Sequence, residues 1–220
     1  MDVVWRRPVA SPAPLAQRVR ARAAVSQCRA CSLHPAGPVA PALTTGGLAV
    51  VCRTPDPGMT VRRWLGAAGI VPTMMMGATQ CTPSGAGGRF LAASPAQLAQ
   101  CRGHVVDVLA AAGVEHVVLV GEQATGQWQG QGYGLSTLAG KIATWVEVGS
   151  TCMAIPEPAR GVNGAKVVSA LRRYASVVND HIPVSDLFDP ECAGCEGWGK
   201  WMSRDGLMWC NGCWKGDTRV

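Results

Sequence analysis

The sequence has no uninterrupted apolar run of the ~18 residues that a bilayer-spanning helix needs, so no membrane span is expected. Met1 to Val25 holds arginines and prolines but no apolar segment, which excludes an ordinary signal peptide. Charge is sparse at 15%, whereas hydrophobic residues make up 48%. That balance excludes a disordered polymer and suits a chain that buries a core. Lysine is scarce, 4 against 16 arginines. Selection for bidentate phosphate contacts would produce that bias, and so would the nucleotide composition of the source. No internal repeat is visible. The glycine- and glutamine-rich stretch from Gly121 to Gly134 lacks the spaced lysine of a phosphate loop, so it is not read as a nucleotide site. These absences describe an intracellular, cytoplasmic chain, where thiols stay reduced and paired cysteines are better read as metal ligands than as disulfides.

What the sequence does have is cysteine, 10 in 220 residues. One set is Cys192-x2-Cys195, then 14 residues, then Cys210-x2-Cys213. Two such knuckles complete a thiolate tetrahedron, so the spacing predicts a Zn2+ ribbon, a module too small to fold without its metal. Gly194, Gly197, Gly199 and Gly212 permit its turns. Trp198, Trp201, Trp209 and Trp214 crowd the same segment, either as its miniature core or as a surface for stacking or protein contact. The other set is Cys28-x2-Cys31 followed by the separate Cys81 and Cys101. Thiolates are soft ligands for zinc or iron–sulfur centres.

Charge is divided unevenly. Residues 1–178 carry 16 Lys+Arg against 7 Asp+Glu, and residues 179–220 carry 4 against 7. The basic part is what a phosphate-backbone binder needs, although a merely soluble arginine-rich surface has the same composition. The acidic tail argues against the ribbon as the principal phosphate binder and leaves it as a possible dock for a protein partner.

Four regions follow: a basic Pro/Arg-rich segment (1–25), an α/β domain (26–178), a linker (179–190) and the ribbon (191–220). In the N-terminal segment Pro14 to Val25 reads as a short helix; within the domain Leu48 to Cys52 reads as a buried strand and Thr60 to Ala68 as a helix closed by Gly69. Thr73 to Gln80 reads as a second strand. Ser94-Pro95 opens the clearest helix, which Gly113 closes, with Cys101 on its apolar face. Val114 to Val120 is a third strand ended by Gly121. Trp145 to Val148 and Cys152 to Ile155 are candidate strands, and Asn163 to Val178 is an amphipathic helix. This alternation predicts a three-layer α/β/α fold around a mainly parallel sheet, with any ligand at the carboxyl ends of the strands. Trp128 and Tyr133 are read either as base-stacking groups on a flexible loop or as packing residues. His34 is read as a solvated loop residue, and His104 and His116 as surface residues.

The words Cys28-x2-Cys31-Ser-Leu, Val50-Val-Cys-Arg-Thr-Pro-Asp-Pro57-Gly58, Gln80-Cys81-Thr-Pro83, Gln100-Cys101 and Val117-Val-Leu-Val-Gly121-Glu-Gln-Ala124 come in an order that resembles the iron–sulfur branch (families 4 and 5) of the uracil-DNA glycosylase superfamily. The resemblance covers roughly residues 26 to 178. It implies a 4Fe-4S cluster on Cys28, Cys31, Cys81 and Cys101, four thiolates being what that cluster takes, and DNA as the partner. The 19 residues between Cys81 and Cys101 exceed the expected spacing, with the excess in a Gly-rich loop. Read from the residues alone, the alternative for Cys101 is a small core side chain, since it lies on an apolar helix face.

The resemblance also marks departures at the implied base pocket, made here of Pro57, Gly58, Gly77, Ile155 and Pro156. Pro55 stands in the place of the family's glutamate, Gly77 in that of its base-reading asparagine and Ile155 in that of its late histidine. Standard uracil excision is therefore disfavoured, because a glycosylase must grip the extruded base and stabilise charge as its bond breaks. Three expectations follow: a cluster-bearing DNA-binding protein without ordinary uracil excision; an active glycosylase or base-processing enzyme for uracil or a modified base, with Asp56, Glu122 or Glu157 as its carboxylate; or a metal-stabilised protein-interaction module.

Overall fold

The computed structural model describes residues 12–33, 37–42, 44–55, 58–81, 92–129, 135, 139–145, 147–179, 200–203 and 206–209. Asp56, Pro57, His34, Tyr133, the 179–190 linker beyond Asn179 and the four ribbon cysteines lie outside the described residues.

The elements run α1 (Leu15–Ser26), β1 (Leu48–Cys52), α2 (Gly58–Ala67), β2 (Met74–Gly77), α3 (Pro95–Ala112), β3 (His116–Val120), α4 (Gly121–Gln129), β4 (Ile142–Trp145), β5 (Ser150–Ile155), α5 (Gly164–Val178), β6 (Lys200–Ser203) and β7 (Gly206–Trp209). The main sheet has the order β2-β1-β3-β5-β4. Its first four strands are parallel, and β4 joins β5 antiparallel at the edge. β1 and β3 are buried at every position, as parallel strands covered by helices on both faces must be. Alternate residues serve opposite layers. Ala49, Val51, Val117 and Leu119 meet Val25 of α1, Val105 and Leu109 of α3 and Ala124 of α4. Leu48, Val50, Val118 and Val120 meet Val61 and Leu65 of α2 and Leu171 and Tyr174 of α5. The fold is thus the expected α/β/α sandwich. No described helix is long and apolar enough to cross a membrane.

Local chemistry explains the best-defined helix. Ser94 accepts from the Gln97 backbone N–H, Gln97 returns the bond to the Ser94 N–H at 2.8 Å, and Gly113 ends α3 at φ 63°. Elsewhere tertiary contacts overrule the sequence signals. The segment after Gly121 is helix, not flexible loop. Trp128 is buried there, so it packs in the core instead of presenting a stacking face. Trp145 closes β4, residues 147–149 turn, and β5 starts at Ser150, which shifts the expected strand pair. His116 is buried, 4% exposed. Its Nδ1 lies 2.7 Å from Thr151 Oγ1, and its ring meets the Tyr174 ring edge-on at 6.1 Å.

Tyr174 fastens α5 to the sheet. Its hydroxyl accepts from the Val117 N–H at 3.0 Å and donates to the Thr151 carbonyl at 2.8 Å. Burial, the largest influence, pushes its phenol far above the ordinary value, so it stays neutral. Tyr174→Phe removes the hydroxyl's bonds to the sheet and is expected to cost about 1 kcal/mol, read as a lower urea midpoint at unchanged slope.

Arg102 of α3 grips Glu147 in the turn before β5 through both guanidinium nitrogens. The Arg102 hydrogen bond is the largest influence holding the Glu147 carboxyl below its ordinary value of 4.5, against an opposing effect of burial. The stabilisation is therefore present above that value and lost as pH falls through the lowered one. With Glu147 half-exposed, it is expected to stay below ~1 kcal/mol. The difference in urea midpoint between wild type and Glu147→Gln should shrink as pH drops below 4.5.

Candidate functional site

The carboxyl ends of β1, β2, β3 and β5 lie along one edge of the sheet. β1 passes through α2 to β2 on one side, and the chain then crosses by α3 to β3 on the other. The switch point, where ligands bind in such sheets, therefore lies between the ends of β1 and β3, at Arg53 and Gly121.

Three chain segments carrying the front cysteines meet at the β2 end of this edge. Cys28 and Cys31 follow the close of α1, where the Cys28 N–H bonds to the Val25 carbonyl at 3.1 Å. Ser32, beside Cys31, accepts from Gln97 in the first turn of α3 at 3.1 Å. Downstream of Cys31, Pro38 forms an antiparallel bridge with Cys81, and the Val39 N–H donates to the Gln80 carbonyl at 2.6 Å. The Gln80 backbone N–H donates to the Cys101 sulfur. Cys81 and Cys101 are buried, while Cys28 and Cys31 are half-buried.

The four sulfurs act on one another electrostatically. Burial, then Cys101, Cys31 and Cys28, push the Cys81 thiol up to about 11. Burial is also the largest influence raising Cys101, opposed by the Gln80 N–H and reinforced by Cys31 and Cys28. Four thiolates so placed repel, and a cationic core among them removes that repulsion. Among the described residues no three His, Cys, Asp or Glu side chains form a group that could hold a single metal ion. Four thiolates are the donor set that a 4Fe-4S cluster takes. The ribbon cysteines Cys192, Cys195, Cys210 and Cys213 lie outside the described residues. Between the two pairs, β6 and β7 form an antiparallel ladder, Lys200 opposite Trp209, which sequence reading did not anticipate.

The implied pocket residues are brought to the same edge. Gly77 ends β2 against Pro55: a Cβ on Gly77 would lie 3.2 Å from the Pro55 ring and 2.3 Å from the Thr79 carbonyl oxygen. Two of the three positions that depart from the family pattern thus fill one another's space. Ile155 is buried and Pro156 half-buried at the end of β5. Gly58 begins α2 at φ 75°, and among the described residues no atom lies within 4 Å of a Cβ built there.

The carboxylate candidates separate. Glu122 is exposed on the first turn of α4. Glu157 folds over the end of β3, where a Cβ on Gly121 would come within 2.4 Å of its Cγ. Its Oε1 lies 3.9 Å from Arg53 Nε, with both side chains 39% exposed. Gly121 has φ 83°, so it serves both the backbone turn and the notch that Glu157 occupies. Arg53 was not singled out from sequence. Its place at the end of β1 was the available signal.

Cations surround this edge. Arg160 follows β5, Lys166 lies in the first turn of α5, and Arg62 and Arg63 lie near the start of α2, all exposed.

Compared with known proteins, the chain matches no protein-family model and no curated protein.

Proposed function

We propose that the chain is a DNA-binding protein of the uracil-DNA glycosylase superfamily that carries a 4Fe-4S cluster and has given up standard uracil excision. The supporting observation is the meeting of Cys28, Cys31, Cys81 and Cys101, drawn from three remote segments, at the carboxyl edge of a doubly wound sheet. In this reading those cysteines hold the cluster, whose contribution is structural: it ties the segment after α1 to the β2 loop and to α3. Gln80 supports it through its backbone N–H to Cys101, and Gln97 through its bond to Ser32. The exposed Arg62, Arg63, Arg160 and Lys166 flank the switch point as a phosphate-facing rim. The contact between Pro55 and Gly77 takes up the space in which the family's glutamate and asparagine would grip uracil. The tail is a zinc ribbon for a protein or nucleic-acid partner.

Glu157, held over Gly121, favours the second reading, a base-processing enzyme. The reading as a pure protein-interaction module predicts no DNA affinity at all.

Anaerobic purification followed by iron, sulfide and zinc analysis is expected to give about four irons and one zinc per chain. Cys195→Ala should lose the zinc and keep the iron. Binding to plain, uracil-containing and abasic duplexes should weaken steeply with salt, with no uracil released. Zinc in both sites defeats the cluster assignment, and absence of DNA binding defeats the functional one.

A further inference from the structure

We infer that the cleft between α1, α3 and the 41–44 segment seats a phosphate group, and that the group belongs to the backbone of a DNA strand lying along α1. The seat is argued from its own residues; naming the strand rests on the DNA-binding reading.

The cleft lies at the far end of the sheet from the switch point. It is bordered by Met74, the first residue of β2, and by Ala111 and Ala112, the last of α3. Arg18 and Arg22 stand one turn apart on α1 and both line it. Arg18 Nε donates to the Ala13 carbonyl at 3.2 Å, which holds the guanidinium in place and leaves its outer nitrogens to face a ligand. Neither arginine makes an ion pair among the described residues, and among them no carboxylate lines the cleft. Thr44 supplies the third donor: its Oγ1 is shielded from water and has no hydrogen-bond partner. A buried hydroxyl left unmatched is costly, and an anion's oxygen would match it. Met74 and Val108, both buried, form an apolar wall that strengthens the attraction of charges beside it.

The end of α3 would oppose an anion through its last carbonyls. Those carbonyls are taken. Ala111 accepts from the Ala13 N–H at 3.0 Å, Ala112 from the Gly46 N–H at 2.8 Å and Ala110 from the Gly113 N–H at 3.0 Å. Two guanidinium forks and a hydroxyl suit an anion with more than two oxygens, which favours phosphate over carboxylate. The cleft measures about 230 Å³, part of it open solvent. Pockets for whole small molecules run to ~300–1,000 Å³, so this one seats a group and not a cofactor.

Charge along the chain points to a polyanion. Residues 3 to 55 contain no Asp or Glu, against seven arginines. Arg20 on α1 and Arg29 between Cys28 and Cys31 are exposed. The start of α1 meets the end of α3, and Ser32 beyond its far end meets Gln97 at the start of α3. A basic track therefore leads from the cleft along α1 to the front cysteines, and a field of one sign draws a phosphate backbone.

The test uses the full-length, metal-loaded protein, with inorganic phosphate and a labelled duplex as probes. Phosphate at constant ionic strength should raise the Tm of wild type by a few degrees more than that of Arg22→Gln or Thr44→Val, the general salting effect being common to all three. Arg22→Gln should bind phosphate about tenfold or more weakly. Arg20→Gln, outside the cleft, should keep the full phosphate gain. On the duplex, the slope of log affinity against log salt should fall by about two for Arg18→Gln/Arg22→Gln and by about one for Arg20→Gln, with iron content unchanged. A phosphate gain lost in the cleft variants without duplex binding by wild type keeps the seat, assigns it to free phosphate and defeats the strand. Duplex binding with equal slopes and equal phosphate gains in all variants overturns the inference and leaves the DNA-binding reading intact. A phosphate gain lost equally in Arg20→Gln overturns the seat as well, since bulk charge then explains it.

Discussion

Cys101→Ala is expected to drop bound iron from about four atoms per chain to near zero, with loss of the visible absorbance of the cluster. The prediction is sharp because the two readings of this residue diverge. As a small core side chain on α3, Cys101 could be shortened to alanine at a cost of about 1 kcal/mol with the iron untouched. As a ligand it is one of four, and three thiolates do not complete the set. Cys152→Ala is the matched control: Cys152 is 1% exposed, Cys101 4%, yet Cys152 sits in β5 away from the other three. That variant should lose a comparable amount of packing energy and keep its iron. Equal iron in both variants would leave the four-cysteine site without support, and the proposed kinship would fall with it.

Sequence patterns carried the parts of the fold that are locally determined. The ends of α3 are set by Ser94, Gln97 and Gly113 within the helix itself, and β1 by an unbroken apolar run that both layers cover. α4 was not legible, because two glycines and several polar residues give it poor intrinsic propensity. It forms through distant partners: Gln127 donates to the carbonyls of Ala78 and Leu98, and Ala124 and Trp128 pack into the core. His116 looked like a surface residue for the same reason, since Thr151 and Tyr174, which satisfy it, are far along the chain. At the site, the order of the front cysteines was readable but their neighbours were not. Nothing near Gly121 in the sequence announces that Glu157 will fold onto it, and nothing near Gly77 announces the Pro55 ring. Both depend on which strands become neighbours.

Putting an asparagine back at position 77, where the resemblance places a base-reading amide, is expected to damage the protein and not to restore uracil release. The obstacle is the backbone. A Cβ there meets the Thr79 carbonyl oxygen at 2.3 Å before any amide is added. That carbonyl cannot easily withdraw. The Ala78 N–H bonds to the Cys52 carbonyl at 2.6 Å, the Ala78 carbonyl accepts from Gln127, the Thr79 hydroxyl donates to the Cys81 carbonyl, and the Gln80 side chain donates to the Gly77 carbonyl. Overpacking a site so constrained costs about 3 kcal/mol, which for a domain of this size lowers Tm by ~6–12 °C. The strain passes into the loop that ends at Cys81, so iron retention should fall as well. Adding Pro55→Glu removes the ring at 3.2 Å but leaves the Thr79 clash in place, so the double variant should recover only part of the loss. A Gly77→Asn protein with wild-type Tm, full iron and uracil release would show instead that the loop yields, and that the altered pocket residues are replaceable parts on an unchanged frame.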